Sequence, residues 1–466
     1  MVTDPHPGQA PIQVAAATPS PDRRVQRRPR RDERHHHGRH SSMKISGSSR
    51  RAYATLATIS VIALAMTGCA RGGGGSGDAS DGTVEASPGI TDTSITIGTT
   101  APLTGNAAGV GNCAVDGGLA YFGAKNAEGG IEFGDGKTRT VEFTAYDDGY
   151  DPQRALANFQ QMQADGAFAA ALSLGTPTNR AWREAAIDAE FPQVLLQTGD
   201  PLFSNREESP WQLGLLPVYQ QEGEAFGELL ANSPDDHKVA ILFQNDDFGE
   251  GYVEGFREAI EDADNVEVVK ELGYEATSTD VNAQITDLAS TDADVFLNAM
   301  SSLAPLVIGS LQQADTIGWH PSIFLPSVSA SPAAFLVPSG VADTFPGIYT
   351  TASSMTVGSP LFTEDPNSTV FLDALAEYTA QPGEPSFPQC LWSWIGASIL
   401  EQAFMKMEEP TRESFMEALR SISDYSAPFL LDGGVIDTTT DDRPAMSTVV
   451  VQMYNGAGFT IVDALD

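Results

Sequence analysis

Short apolar and β-branched segments alternate with longer helical patterns along the chain from residue 90 onward. The short segments have the composition of buried strands, and the longer ones have the spacing of apolar residues typical of helices. Strands that alternate with helices form parallel sheets covered on both faces, so this pattern predicts an α/β fold. The predicted strands are Ser94–Thr99, Thr140–Ala145, Phe168–Leu174, Gln193–Leu196, Lys238–Phe243, Val266–Leu272, Asp294–Asn298 and Ser322–Leu325. The predicted helices lie near Cys113–Glu128, Pro152–Ala164, Asn179–Ala189, Gln220–Ala231, Gly249–Asp262, Val281–Ala289 and Ala304–Thr316.

The chain after residue 68 is longer than one typical domain, so two lobes are expected. A repeated acidic pattern supports this expectation, since Tyr146-Asp147-Asp148 and Asn245-Asp246-Asp247 each follow a predicted strand and precede a helix. We interpret these acids as caps or turns, with calcium binding as the alternative. Asp151 directly before Pro152 predicts the start of the helix that follows the first pair.

The charge of the chain is strongly acidic, with 62 Asp and Glu against 26 Lys and Arg and a net charge of −36. Residues 1–68 contain 11 of the 26 Lys and Arg residues but only 4 of the 62 Asp and Glu residues, so the rest of the chain is more acidic still. Nucleic acid and anionic lipid surfaces attract clustered cations, so neither is an expected partner. The composition predicts a solvated acidic surface, and adaptation to salt is an alternative origin of the charge.

The N-terminal part predicts export from the cytoplasm. Arg50-Arg51 precedes an apolar run over residues 52–66, and Ala65-Met66-Thr67-Gly68-Cys69 closes it. Positive residues, a short apolar segment and small residues before a cleavage site form a secretory signal, here residues 43–68. The run is too short to span a bilayer. Residues 1–42, which precede the second methionine, are interpreted as a non-native or mis-called extension.

The residues around Cys69 resemble the lipobox of bacterial lipoproteins. That resemblance implies lipidation of the Cys69 thiol and an extracytoplasmic protein anchored to the cell membrane. The alternative is cleavage of the signal peptide at another site. The run of glycines at 72–75 indicates a flexible linker over residues 69–92 between the anchor and the folded part.

The sequence argues against an enzyme. After the signal peptide, His237 and His320 are the remaining histidines, and the chain lacks both a Gly-x-Ser-x-Gly elbow and a His-Glu-x-x-His motif. Gly136-Lys137-Thr138 fails as a phosphate-binding loop because Ile131 replaces its first glycine. Neither a cofactor nor a metal site is expected, and an extracellular enzyme is the least favoured class of function.

The chain from Ser94 to its C-terminus resembles the type I periplasmic binding proteins, and within them the leucine/isoleucine/valine-binding branch that serves ABC importers. The resemblance rests on ordered motifs, each weak alone. They are Ile97-Gly98-Thr99-Thr100-Ala101-Pro102-Leu103-Thr104-Gly105, Asn126-Ala127-Glu128-Gly129-Gly130-Ile131, Tyr146-Asp147-Asp148 with Asp151-Pro152, and Phe248-Gly249-Glu250-Gly251.

The resemblance implies two Rossmann-like α/β lobes joined by a hinge with three crossovers. Lobe 1 would comprise residues 93–218 and 352–430, and lobe 2 residues 219–351 and 431–466. The crossovers are expected near Pro217–Tyr219, Thr350–Ser353 and Leu430–Asp432. The implied partners are a small solute and permease and ATPase subunits on other chains. The protein is expected to be a monomer, and a sensor of the same fold is the alternative to a transport protein.

The resemblance also implies where the ligand binds. The loop that receives a ligand carboxylate would fall on Thr176, Pro177 and Thr178, followed by Asn179, at a helix start whose N–H groups favour an anion. Plain capping of the helix by Thr178 or Asn179 is the alternative interpretation. The ligand would further contact Thr198 and Gly199 after the next strand, and Phe248 as an aromatic wall.

Three positions depart from the amino-acid binders of that family. Ser327 stands where they carry an acid for the ligand ammonium, Ser301 where they carry a tyrosine of the second lobe, and Val110 where they carry one of the first. A buried ammonium without a carboxylate is costly, so the expected ligand is a carboxylate with an apolar body, or an amide. The alternative is that Asp200, Asp246 or Asp247 supplies the charge.

The resemblance places Cys113 and Cys390 near the cleft of the first lobe and implies a disulfide between them, which an exported compartment permits. Trp392 and Trp394 begin a long predicted helix close to Cys390. Because side chains two positions apart on a helix point in different directions, one of the two is expected in the cleft and the other in the core.

Overall fold

The computed structural model describes residues 84–380 and 385–465. Cys69, the predicted signal peptide and most of the predicted linker lie outside the described residues. Within them, the first sheet contains β1 Ser94–Ala101, β2 Ile131–Glu132, β3 Thr138–Asp147, β4 Ala169–Ala171, β5 Gln193–Leu196 and β6 Gln212–Gly214. The second contains β7 His237–Gln244, β8 Val266–Tyr274, β9 Val295–Ala299, β10 Ser322–Phe324, β11 Ile348–Ala352, β12 Val450–Tyr454 and β13 Phe459–Ile461.

The helices lie between these strands and in the segment after β11. They are α1 Ala108–Ala127, α2 Pro152–Ala164, α3 Thr176–Asp188, α4 Tyr219–Ala231, α5 Asp247–Ile260, α6 Asn282–Ala289, α7 Ala304–Thr316, α8 Val337–Ser339, α9 Pro360–Glu364, α10 Pro366–Tyr378, α11 Gln389–Lys406 and α12 Arg412–Leu419. The Asp151 side chain accepts hydrogen bonds from the N–H groups of Gln153 and Arg154, so the predicted cap of α2 is confirmed.

The first sheet has the strand order β2-β3-β1-β4-β5-β6. Its central strand β1 pairs in parallel with β3 on one side and β4 on the other, so that Ile97 lies between Phe143 and Ala169. Strand β2 is antiparallel to β3, which makes this sheet mixed rather than wholly parallel as predicted. Buried positions dominate β4 and β5, as expected for strands covered on both faces.

The second sheet has the order β13-β12-β11-β10-β9-β7-β8. Strands β7 to β11 pair in parallel, whereas β12 and β13 form an antiparallel edge. The prediction omitted β11, β12 and β13 in this sheet, and it omitted β2 and β6 in the first sheet. Each of these strands is two to five residues long, too short for an extended alternation of apolar and polar residues.

The chain passes between the two sheets three times. It leaves the first sheet after β6, and after β11 it returns to form α10 and α11, which pack against α1. Ala445 and Met446 donate backbone hydrogen bonds to Gly214 and Leu215, whereas β12 already belongs to the second sheet. The third passage therefore lies later in the chain than the predicted position near Leu430–Asp432.

Helices α1 and α11 approach each other closely. A Cβ atom on Gly117 of α1 would collide with the carbonyl oxygen of Cys390, so the contact requires a glycine. The structure contains the expected disulfide between Cys113 and Cys390, whose Cα atoms are 4.6 Å apart. This link fixes the start of α11 against α1, and both helix starts contribute to the site described below.

Candidate ligand-binding site

A cavity with about 420 Å³ of atom-free space, partly open to solvent, lies where loops after strands of both sheets meet. Ligands of open α/β sheets bind beyond the carboxyl ends of their strands, and this cavity has that location. None of its lining side chains carries a formal charge. The wall consists of Ala107, Val110, Tyr150, Leu174, Gly175, Thr176, Gln197, Leu216, Tyr219, Phe248, Ser301, Ser302, Leu303, Val328, Gln389 and Trp392.

The start of α3 forms one part of the wall. Gly175 precedes the helix with φ of 107°, a conformation that favours glycine, and Thr176 lines the cavity. The side chains of Thr178 and Asn179 donate to carbonyls at 173–175 instead of accepting from N–H groups, so neither caps the helix. The N–H groups of its first turn have no acceptor within the helix and form a positive end of the helix dipole.

The predicted contacts Thr198 and Gly199 lie behind this wall. The Thr198 hydroxyl oxygen is 2.7 Å from that of Thr176, and the Tyr219 hydroxyl is 3.3 Å from both. The carbonyl of Gly199 accepts from the N–H of Tyr219. Burial raises the pKa of Tyr219 to about 12, which keeps its hydroxyl neutral. Thr198 and Gly199 therefore position Thr176 and Tyr219.

Aromatic rings form the apolar part of the wall. Phe248 lines the cavity as predicted, and its ring packs against that of Tyr219 with a centroid distance of 4.9 Å. Trp392 also lines the cavity and donates from Nε1 to the Ser354 hydroxyl, whereas Trp394 packs on Tyr121 in the core. One tryptophan thus faces the cleft and the other the core, as the sequence predicts.

The two serines that depart from the family pattern have different environments. Ser301 lines the cavity, and its hydroxyl donates to Gln244 Oε1 at 2.6 Å. Ser327 is absent from the cavity wall, because its N–H and hydroxyl donate to the Glu222 carboxylate at 3.0 and 2.9 Å. Glu222 is buried, and that burial raises the pKa of its carboxyl group.

The three acids considered as alternative ammonium partners are all engaged elsewhere. Asp200 and Asp247 both pair with Arg180, the latter at 2.7 Å. The Asp246 side chain accepts from the N–H of Phe248 at the start of α5 and from Gln244 Nε2 at 2.7 Å. None of the three lines the cavity.

The structure thus brings Thr176, Phe248, Ser301 and Val110 together in one wall. Pro177, Thr178, Asn179, Thr198, Gly199 and Ser327 lie outside it. Sequence reasoning missed several members of the wall, including Tyr219 and Gln389, and Gln389 has no local signal at all. The segment Gln197-Thr198-Gly199 was expected to contact the ligand through its backbone and Thr198, and no role was predicted for the Gln197 side chain.

Over residues 84–380 and 385–465, no cluster of three or more His, Cys, Asp or Glu side chains could hold a metal ion. The helices of the same residues include none with the length and apolarity needed to cross a bilayer.

A model of the periplasmic binding proteins matches residues 94–458. The chain belongs to the periplasmic binding protein family. It is 25% identical over 332 residues to the leucine-, isoleucine-, valine-, threonine- and alanine-binding protein of Pseudomonas aeruginosa, which covers 70% of this chain and 82% of that protein.

Two solved structures share the fold. The fatty acid ABC transporter substrate-binding protein from Thermomonospora curvata has a TM-score of 0.69 at 22% identity, covering 81% of this chain and 94% of that one. The branched chain amino acid ABC transporter from Thermus thermophilus with bound valine has a TM-score of 0.70 at 15% identity, covering 80% and 97%. These likenesses confirm the predicted two-lobe fold of the type I periplasmic binding proteins.

Membership of this family sets the general function. The chain is a binding protein of the periplasmic type, a family that works outside the cytoplasm.

Proposed function

We propose that this protein is the lipid-anchored receptor of an ABC importer and that it captures a small solute lacking an ammonium group. Its permease and ATPase would be separate chains, and Cys69 would carry the anchor. The observation that carries the proposal on the ligand is the cavity wall, which joins apolar rings to the start of α3 and contains no charged side chain.

The start of α3 suits a carboxylate or another acceptor. Its first-turn N–H groups and the Thr176 hydroxyl are donors, and the helix dipole favours negative charge there. Phe248, Trp392 and Leu174 supply an apolar surface for the body of the solute. A carboxylate with an apolar body, or a neutral amide, fits both features.

An α-amino acid fits less well. Its ammonium would be buried against a wall without a carboxylate, and an uncompensated buried charge is strongly unfavourable. Ser327 stands at the position of the family's acid, but it is bonded to Glu222 and lies outside the wall. The solved structures that share the fold differ in their named ligands: one is a fatty acid ABC transporter substrate-binding protein, and another contains bound valine.

Calorimetry on the Cys69→Ala protein tests the ligand class, with leucine, aliphatic acids, aromatic acids, amides and urea as probes. The fluorescence emission of Trp392 provides a second signal of ligand binding, because its ring lines the cavity. We expect binding of acids or amides and poor binding of leucine. Micromolar or tighter leucine binding without any response to acids or amides would overturn the proposed ligand class.

Uptake measurements test the transport role. A strain that lacks this protein should take up the bound solute more slowly than its parent, and the unmodified gene should restore uptake. Unchanged uptake together with loss of a transcriptional response to the solute would instead indicate a sensor.

A further inference from the structure

Two glutamines in the cavity wall, Gln197 and Gln389, have amide oxygens with no hydrogen-bond partner among the described residues. Both side chains are almost completely buried, with exposed fractions of 4% and 2%. Such oxygens are uncommon in folded proteins, because each has lost its bonds to water without replacing them. Two of them in one uncharged wall point to a ligand that supplies the missing donors.

The orientation of the Gln197 amide follows from its neighbour Ser393. Gln197 Nε2 lies 2.6 Å from the Ser393 hydroxyl oxygen, and that hydroxyl donates to the carbonyl of Ala114. Because a serine hydroxyl has one proton, it can only accept from Gln197. The amide nitrogen must therefore face Ser393, which leaves Oε1 as the free group.

Gln389 is oriented by an equivalent arrangement. Its Nε2 lies 3.3 Å from the hydroxyl oxygen of Ser302, and Ser302 donates its proton to the carbonyl of Val328 at 2.6 Å. The hydroxyl again serves as acceptor, and Gln389 Oε1 is left free. Ser302 follows β9 of the second sheet, whereas Gln389 begins α11, which packs on α1 beside the first sheet. This amide is therefore held from both sides of the cavity.

The backbone before Gln197 is irregular in a way that supports a functional role. Leu195 has a φ of 52° in the middle of β5, and the pairing of β5 with β6 shifts its register between Val194 and Leu196. A bulge of this kind redirects the residues that follow it, and strained buried residues cluster at binding sites. Here the residue two positions further on is Gln197.

We propose that Gln197 and Gln389 recognise hydrogen-bond donors of the solute, so that the ligand carries at least two N–H or O–H groups beside an apolar body. This inference rests on the solute-binding function proposed above and narrows its ligand class. Neutral primary amides, with two N–H groups, and acids with two hydroxyl groups have the required donors. Their acceptor atoms suit the start of α3, and their donors suit the two glutamine oxygens.

Matched pairs of solutes test the inference on the Cys69→Ala protein. Primary amides and dihydroxylated aromatic or aliphatic acids are compared by calorimetry with their N,N-dimethyl or di-O-methyl counterparts. We expect the methylated solutes to bind at least about tenfold more weakly, because their donors are gone and the glutamine oxygens stay unpaired. Gln197→Leu and Gln389→Leu should reduce this discrimination.

Gln212→Leu is the matched control. Gln212 is also a buried glutamine whose amide has no hydrogen-bond partner in the part of the chain that the structure describes, but it lies on β6 outside the cavity wall. The Gln212→Leu protein should discriminate between methylated and unmethylated solutes as strongly as the parent does. The solute pairs are measured on the unsubstituted cavity as well, so a glutamine variant that fails to fold does not decide the outcome.

Two results would overturn the inference. Equal affinity for methylated and unmethylated solutes would do so while leaving solute binding intact. Binding of no donor-bearing solute would also refute it. If acids without donors then bind and the deletion strain loses their uptake, the proposed transport function survives. If nothing binds and uptake is unchanged, both proposals fail.

Discussion

Loss of the disulfide between Cys113 and Cys390 should lower the free energy of unfolding substantially. The two cysteines are 277 positions apart, so the bond closes a very long loop in the unfolded chain. The chain-entropy model gives roughly 5–6 kcal/mol at 25 °C for a loop of this size, and measured values usually fall below the model. We expect a loss of about 3–5 kcal/mol.

Denaturant unfolding of the Cys69→Ala protein measures this loss, since that variant retains Cys113 and Cys390 as its two cysteines. Both sulfur-bearing side chains are buried, so the bond must be reduced while the chain is unfolded. Oxidised and reduced forms of one protein are then compared without any change in the remaining side chains. The reduced form should also show a larger m-value, because its unfolded chain is less compact.

Thiol counting provides the decisive control. The oxidised, denatured Cys69→Ala protein should contain no free thiol, and two should appear after reduction. Two free thiols before reduction would refute the disulfide. An unfolding free energy that is equal in the oxidised and reduced forms would refute the argument from loop length.

Four further outcomes are expected. Cys69→Ala should release the protein from membranes, as fractionation would show; retention equal to the parent would contradict the anchor. Phe248→Ala should weaken solute binding by about 1–3 kcal/mol in calorimetry, since the solute loses an apolar contact, and unchanged affinity would place the solute elsewhere. Ser327→Glu should destabilise the fold by roughly 1–3 kcal/mol, and more than Ser327→Ala, because the new carboxylate meets buried Glu222; equal melting temperatures would count against this. Burial raises the pKa of Asp148 to about 6, so its contribution to stability is complete below about pH 4 and is lost as the pH rises through 6. The free energy of unfolding of Asp148→Asn should therefore rise relative to that of the parent between pH 4 and pH 7. Free energies of unfolding that change in parallel with pH in the two proteins would refute this.

Most of the local structure was predictable from patterns of neighbouring residues. The apolar patterns predicted strands such as β1 and β7, and the Asp151-Pro152 pair predicted the start of α2. These features depend on residues close together in the chain, so their periodicity and capping are visible in one sequence. Ordered short motifs were also enough to predict the family and the two-lobe fold.

Local patterns failed where a neighbouring element decides the structure. Helix α1 begins at Ala108 and α3 at Thr176, each earlier than predicted, because glycines and small polar residues hide the helical pattern there. The short strands β6 and β12 exist through pairing with strands that are distant in the sequence. Their own residues carry too little pattern to show it.

The cavity depended most on tertiary structure. By sequence, Ser327 aligns with the acid that binds the ligand ammonium in the family's amino-acid binders. In the fold it is hydrogen-bonded to Glu222, 105 positions away, and it lies outside the wall. The free oxygen of Gln197 exists because Ser393, 196 positions away, holds the amide nitrogen. A hydrogen bond of this kind requires two atoms within about 3 Å. That distance is set by how the helices pack on the sheets, and no pattern near either residue encodes it.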